Sequence, residues 1–191
     1  MNKLILLMPL LFFMIMGIAN ATSPTIPAGI NYYVPVNITN SQTSATPNPF
    51  QQMVTVNALN YTSYINYNNN FANFEYFYSN GTIISAWIES NNSKQLTTWT
   101  KINGGIAGST KLTIYLGFAS KTTNLLSNSG TTGIGEAPQL SSTYAQYDDG
   151  VSVFPNYWNF AGTSLPTGWT SSGSDLTVDN GITLSGSVRF E

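Results

Sequence analysis

Apolar and polar residues alternate over several short runs of this chain, the two-residue period of a strand with one face buried. No stretch of useful length repeats apolar residues at helical spacing. The first run, Tyr32-Tyr33-Val34-Pro35-Val36-Asn37-Ile38-Thr39, sets Val34, Val36 and Ile38 on one face. Pro35 has no N–H to give a ladder, which predicts a sheet edge or a bulge there. After the turn cluster Thr46-Pro47-Asn48-Pro49 comes a strand over 50–56, then an Asn-rich loop over 58–70 with a helical turn near 60–65. Strands follow at 95–102 and 110–118, separated by a Gly-rich turn, with Leu112, Ile114 and Leu116 on one face of the second. Residues 120–146 read as a loop that crosses between the sheets or caps them. Many short strands with Gly and Asn turns predict an all-β fold, an antiparallel β-sandwich with jelly-roll-like connections.

The strongest local signal is Asn80-Gly81 between two β-rich runs, 73–79 and 82–90. Asn-Gly predicts a type I′ turn, in which both central residues take positive φ. A two-residue loop would set Phe74 opposite Trp87, Tyr76 opposite Ser85 and Tyr78 opposite Ile83 on one face. Phe77, Ile84, Ala86 and Ile88 would lie on the other.

The two ends of the chain read differently from its middle. Met1–Lys3 is a short cationic start, Leu4–Ile18 carries no charge, and Ala19-Asn20-Ala21 has the small-x-small pattern of a signal-peptide cleavage site. The expectation is export, with cleavage after Ala21 and no membrane span afterwards; the apolar run is shorter than the roughly 20 residues a spanning helix needs, and Pro9 interrupts it. At the other end, residues 157–191 change character and look like a second β domain that has only begun. The expected division is therefore a signal peptide over 1–21, an N-terminal segment with the first edge strand over 22–49, a sandwich over 50–156 that includes 31–39, and an incomplete second β domain over 157–191. Either the chain is a fragment of a longer protein, or its tail pairs with the first domain or another molecule.

Composition narrows the chemistry. The 191 residues include no Cys and no His, so thiol nucleophiles, Ser-His-Asp triads, disulfides and the usual zinc sets are excluded. Six basic and eight acidic residues leave no phosphate-binding surface, and no nucleic-acid partner is expected. Asn, Ser and Thr, 66 residues in all, supply the missing polarity. A surface of amides and hydroxyls keeps its charge over a wide pH range, which would suit an acidic exterior. With 10 Phe, 11 Tyr and 4 Trp, the core does not lack apolar area.

The order of pieces from Tyr33 to Phe118 resembles the secreted β-domain family catalogued as domain of unknown function 2341. The resemblance rests on Val-Pro-Val-Asn-Ile-Thr-Asn at 34–40, the Phe-Glu-Tyr-Phe strand with its turn, Ala-Trp-Ile-Glu-Ser at 86–90, Thr-Trp-Thr-Lys-Ile at 98–102 and Gly-Ser-Thr-Lys-Leu-Thr-Ile-Tyr-Leu-Gly-Phe at 108–118. Gly135–Leu140 is similar to a loop in archaeal-looking members. The resemblance implies a secreted or cell-surface modular protein that brings no catalytic residues with it. It also implies that such a domain precedes a concanavalin A-like, laminin G-type sandwich, whose opening residues 159–181 resemble.

Candidate sites follow from side-chain type. Phe74, Tyr76, Tyr78 and Trp87 would line one face of the hairpin, either as a platform on which sugar rings stack or as core beneath the second sheet; the weight of aromatic residues in cores favours the second. Trp99 carries the same ambiguity. Glu75 and Glu89 are the pair to test for glycoside hydrolysis, but strand parity sends them to opposite faces unless a bulge intervenes, and no enzyme is expected. Asp148-Asp149-Gly150, with Glu136 upstream, offers oxygens to Ca²⁺, yet the spacing matches no defined loop and turn chemistry explains it as well, so no cofactor or metal is expected. Asn37, Asn60, Asn80 and Asn91 head Asn-x-Ser/Thr sequons, with Asn80 the best placed for glycosylation. The function expected is adhesion or binding of glycans or surface proteins. The alternatives are a subunit of a surface layer or filament that self-associates by strand pairing, and a non-catalytic part of a longer secreted glycoside hydrolase.

Overall fold

A computed structural model describes residues 23–66, 71–92, 95–129, 133–171 and 176–185. The expected leader and its expected cleavage at Ala21 lie outside the described residues, as do residues 186–191 of the expected second domain. The strands are β1 (Ile30–Thr39), β2 (Phe50–Asn57), β3 (Phe74–Phe77), β4 (Ile83–Ile84), β5 (Ala86–Asn91), β6 (Gln95–Ile102), β7 (Lys111–Ala119), β8 (Gly135–Glu136), β9 (Leu176–Val178) and β10 (Ile182–Leu184). A 3-10 turn occupies Ala58–Tyr61, and a single helical turn, α1, spans Gly150–Val153.

Two four-stranded sheets form an all-β sandwich, ordered β1-β7-β3-β4 and β2-β6-β5-β8. All strand pairs within them are antiparallel except β5 with β8. β1 pairs with β7 and β2 with β6, a nested arrangement of the jelly-roll kind. β9 and β10 form a separate two-stranded piece.

Alternation along the strands decides what lies between the sheets. Leu96, Thr98, Thr100 and Ile102 point inward from β6, and Ile114, Leu116 and Phe118 from β7. The apolar ones meet Phe74, Tyr76, Ile84, Ala86 and Ile88 in one cluster. Each fully buried side chain of this size contributes roughly 1.5–3 kcal/mol from removal of apolar surface from water. Tyr76 and Thr98 pair their polar atoms inside. The Tyr76 hydroxyl lies 2.9 Å from Thr98 Oγ1, which donates in turn to the Val54 carbonyl at 3.0 Å.

The hairpin departs from the type I′ expectation. Gly81 takes φ +85°, while Asn80 is not among the residues with positive φ. Gly81 N donates to the Tyr78 carbonyl, and Tyr78 N to the Thr82 carbonyl, both at 2.9 Å, so the loop holds three residues and Gly81 forms a bulge after a turn centred on Ser79 and Asn80. The extra residue shifts the register by one. Phe77 faces Ile83 and Tyr76 faces Ile84. The second run then leaves its sheet: the Ser85 carbonyl already accepts from Lys101 N at 2.9 Å, and Ala86–Asn91 pair with β6 in the opposite sheet. The expected pairs of Phe74 with Trp87 and Tyr76 with Ser85 do not form.

Candidate functional site

The outer face of the second sheet carries two indoles side by side, because Trp87 of β5 is the register partner of Trp99 of β6. The segment after β8 folds back over them. Phe154 stands edge-on to both rings, at centroid distances of 5.5 Å from Trp87 and 5.7 Å from Trp99, and Tyr157 is edge-on to Trp87 at 5.8 Å. With Ala137 and Val153 they form an apolar cluster outside the main core. Edge-to-face contacts of this kind add roughly 0.5–1.5 kcal/mol each beyond the area they bury.

Asp148 is the polar centre of this assembly. Its Oδ1 accepts from Trp87 Nε1 at 3.0 Å, the Tyr157 hydroxyl at 2.8 Å and Gly150 N at 3.1 Å, and its Oδ2 accepts from Asn159 Nδ2 at 2.8 Å. Burial and the Asp148 charge both push the Tyr157 hydroxyl pKa up, which keeps that proton available for donation. The glycine of Asp-Asp-Gly serves packing, since a Cβ at Gly150 would stand 2.2 Å from the Tyr157 ring.

Beside this carboxylate runs a groove of about 440 Å³, bounded by Asp148, Val151 and Tyr157 on one side and by Trp158–Ala161 and Ser164–Thr167 on the other. Trp158 is 45% exposed and stands 5.1 Å, edge to face, from Trp169, which also braces Phe160 at 5.4 Å. The strip 157–160 is tied to the sandwich by the Tyr144 hydroxyl, which donates to the Asn159 carbonyl at 2.6 Å. A flat apolar ring, amide and hydroxyl side chains and a carboxylate therefore face one cleft. In the sequence Tyr157–Phe160 showed only a change of character; the signal for the cleft was three aromatic residues grouped with Asn159 there.

The four hairpin aromatics do not share a face. Phe74 and Tyr76 are fully buried between the sheets, and Tyr78 is half-buried with its hydroxyl accepting from Asn103 N at 2.8 Å. Trp87 sits outside the opposite sheet beneath Phe154 and Tyr157. The shifted register and the change of sheet at Ser85 separate them, so they form no common platform.

Glu75 and Glu89 also part company. Glu75 is buried on the outer face of the first sheet, with Gly133 N donating to its Oε2 at 3.1 Å. Glu89 stands at a bulge in β5 and shares with Trp87 the outer face of the second sheet, where its Oε2 accepts from Trp99 Nε1 at 2.8 Å. The bulge leaves Glu89 on the face of Trp87, and because β5 joins the opposite sheet the whole sandwich separates the two carboxylates, so they cannot flank one scissile bond.

Glu136 projects from β8, its Oε1 accepting from the Ser141 hydroxyl at 2.5 Å, and its Oε2 has no hydrogen-bond partner among the described residues. Asp149 accepts from the Ser152 hydroxyl at 2.6 Å. Glu75, Glu136 and Asp149 are all buried, and desolvation holds each carboxyl pKa above its ordinary value; the Gly133, Ser141 and Ser152 bonds pull back partly, and the Asp148 charge pushes Asp149 further up. Among the described residues no three Asp, Glu, His or Cys side chains are grouped to hold a metal ion. Of the sequon residues, Asn37, Asn60 and Asn80 are exposed, and Asn91 is half-buried at the end of β5 with its Ser93 outside the described residues. No described helix is long and apolar enough to cross a membrane.

No family model matches the chain, and no solved structure matches it. A protein of Sulfolobus islandicus rod-shaped virus 1, named Uncharacterized protein 562, is 35% identical over 128 residues, which cover 65% of this chain and 21% of that protein. The chain thus spans about a fifth of the length of this viral relative, to which it is similar over most of its own.

Proposed function

We propose that this protein is an exported β-sandwich module, secreted or held at a surface, that recognises glycans in the groove beside Trp158 and performs no catalysis of its own. The observation that carries this reading is the exposed Trp158 ring at the edge of a cleft that also offers Asn159, Ser164 and Thr167. Sugar rings present an apolar face for stacking and a rim of hydroxyls for hydrogen bonds, and this cleft has a counterpart for each. The signal-like leader over 1–21 supports export, and the resemblance of residues 33–118 to a secreted β-domain family agrees with it. Exposed sequons at Asn37, Asn60 and Asn80 would carry glycans where the host has the transferase.

A glycan array followed by titration of the best hit tests the proposal. Trp158→Ala should weaken binding by about fivefold or more, the equivalent of at least about 1 kcal/mol of ring stacking, without lowering the melting temperature much. Binding that is unchanged in Trp158→Ala, or an array on which no glycan is retained, refutes the assignment.

A further inference from the structure

Four strands end the two sheets, and three of them are protected against pairing with another chain. β1 carries Pro35 at an exposed position. β4 is two residues long, and the turn leading into it is tied to the N-terminal segment by Thr25 N donating to the Ser79 carbonyl at 2.9 Å. β8 is also two residues long, and Glu136 N already donates to the Tyr147 carbonyl at 2.9 Å. β2 has none of these devices. Its eight residues, Phe-Gln-Gln-Met-Val-Thr-Val-Asn, include no proline and no charge, and their register with β6 runs unbroken from Phe50 opposite Ile102 to Asn57 opposite Gln95. Long, regular, uncharged edges are the ones that recruit another strand.

The direction of the backbone groups can be read from the side chains that meet them. The Thr100 and Thr98 hydroxyls donate to the Gln52 and Val54 carbonyls at 3.1 and 3.0 Å, so these residues turn their peptide groups toward β6. By the alternation of an antiparallel strand, Gln51, Met53 and Thr55 turn theirs outward. The Met53 carbonyl is met by its neighbour's side chain, Gln52 Nε2, at 2.8 Å. Beyond this edge a groove of about 330 Å³ opens between β2 and β1, with Val36 and Ile38 on one side and Met53 and Val54 on the other. Met53 is 47% exposed.

We propose that β2 is a strand-pairing site for the β2 strand of a second copy of this chain, joined antiparallel about a two-fold axis through Met53. Three features select a second copy as the occupant. The outward-facing residues Gln51, Met53 and Thr55 are symmetric about Met53, so each meets an outward-facing residue of the other copy: Gln51 opposite Thr55, and Met53 opposite Met53. A strand without charge meets no like charge in its own image. The shared operation is self-complementary, so it closes as a dimer instead of growing into a fibre. The pairing joins two four-stranded sheets across the axis and brings the two grooves together.

Sedimentation equilibrium of the protein across the micromolar range tests this, with Met53→Lys and Met53→Glu each run alone and then mixed. The Met53 side chain is exposed, and circular dichroism and melting of each variant verify folding. The wild type should dimerise with concentration, each variant alone should associate about tenfold more weakly because like charges face each other, and the mixture should regain the dimer. A wild-type protein that stays monomeric throughout, or a dimer that both variants leave intact, overturns the proposal. If Met53→Lys fails to fold, the double variants Gln51→Lys/Thr55→Lys and Gln51→Glu/Thr55→Glu serve instead; because positions 51 and 55 face each other, each should lose the dimer alone and the mixture should regain it.

Discussion

Removing the Asp148 carboxylate should be among the most damaging single changes outside the main core. In Asp148→Ala the Trp87 indole N–H, the Tyr157 hydroxyl, the Asn159 amide and the Gly150 N–H all lose their acceptor. A buried donor left unpaired costs about 1–3 kcal/mol; with the full cost for the buried Trp87 and a reduced one for half-buried Tyr157 and Asn159, which can turn to water, the loss comes to about 3 kcal/mol. Asp148→Asn keeps one acceptor oxygen and should lose about half as much. Urea unfolding followed by tryptophan fluorescence gives the number directly, because Trp87 and Trp99 sit in the box that Asp148 closes. The midpoint should fall with an unchanged slope. A loss below about 1 kcal/mol would refute the claim that this carboxylate holds the 148–159 segment to the sheet. A double-mutant cycle with Trp87→Phe isolates the indole bond, with an expected coupling of about 1–2 kcal/mol; additive effects would show that the bond contributes nothing.

Stability should also depend on pH, and in an unusual direction. Glu75, Glu136 and Asp149 have folded-state pKa values raised by burial, so the folded protein holds protons that the unfolded chain releases at ordinary carboxyl pKa values of roughly 4. Their contribution is fully present below that pH and is lost as pH rises through the folded-state values, so the melting temperature should be higher in mild acid than at neutral pH. Glu136→Gln should flatten this slope and raise the neutral-pH melting temperature, since a neutral amide replaces a carboxylate with one oxygen unpartnered; a slope unchanged in this variant would exclude Glu136 as a source. Gly150→Ala should destabilise by about 1–3 kcal/mol, as measured by urea unfolding, because its methyl group meets the Tyr157 ring at 2.2 Å. Gly133→Ala should be at least as costly, about 2 kcal/mol or more by the same measurement, since φ is +71° and the methyl group would lie 1.7 Å from the Leu125 carbonyl oxygen.

Much of the fold is legible in the order of residues, and the reason is local. β2, β6 and β7 follow from period-two alternation bounded by Pro, Asn and Gly, because a pleated backbone sends neighbouring side chains to opposite faces whatever its partner is. A helical turn near 60–65 was expected within the Asn-rich stretch; the 3-10 turn forms slightly earlier, at Ala58–Tyr61, where Asn57 Oδ1 accepts from Leu59 N at 3.1 Å. The Asn80-Gly81 pair marked a hairpin tip correctly, but it did not determine the loop length. One added residue in the turn and a change of sheet at Ser85, both consequences of how the chain closes its core, sent Trp87 to the outer face of the second sheet, away from Phe74 and Tyr76 in the core. The same holds for Asp148: adjacent acids and a glycine suggest a turn or an ion ligand, and only the return of residues 150–159 over β5 and β6 supplies the indole, phenol and amide that make it a hydrogen-bond centre. Local alternation determines which residues can be buried, and long-range pairing decides which sheet buries them, because strand partners are separated by too many residues for any short pattern to encode.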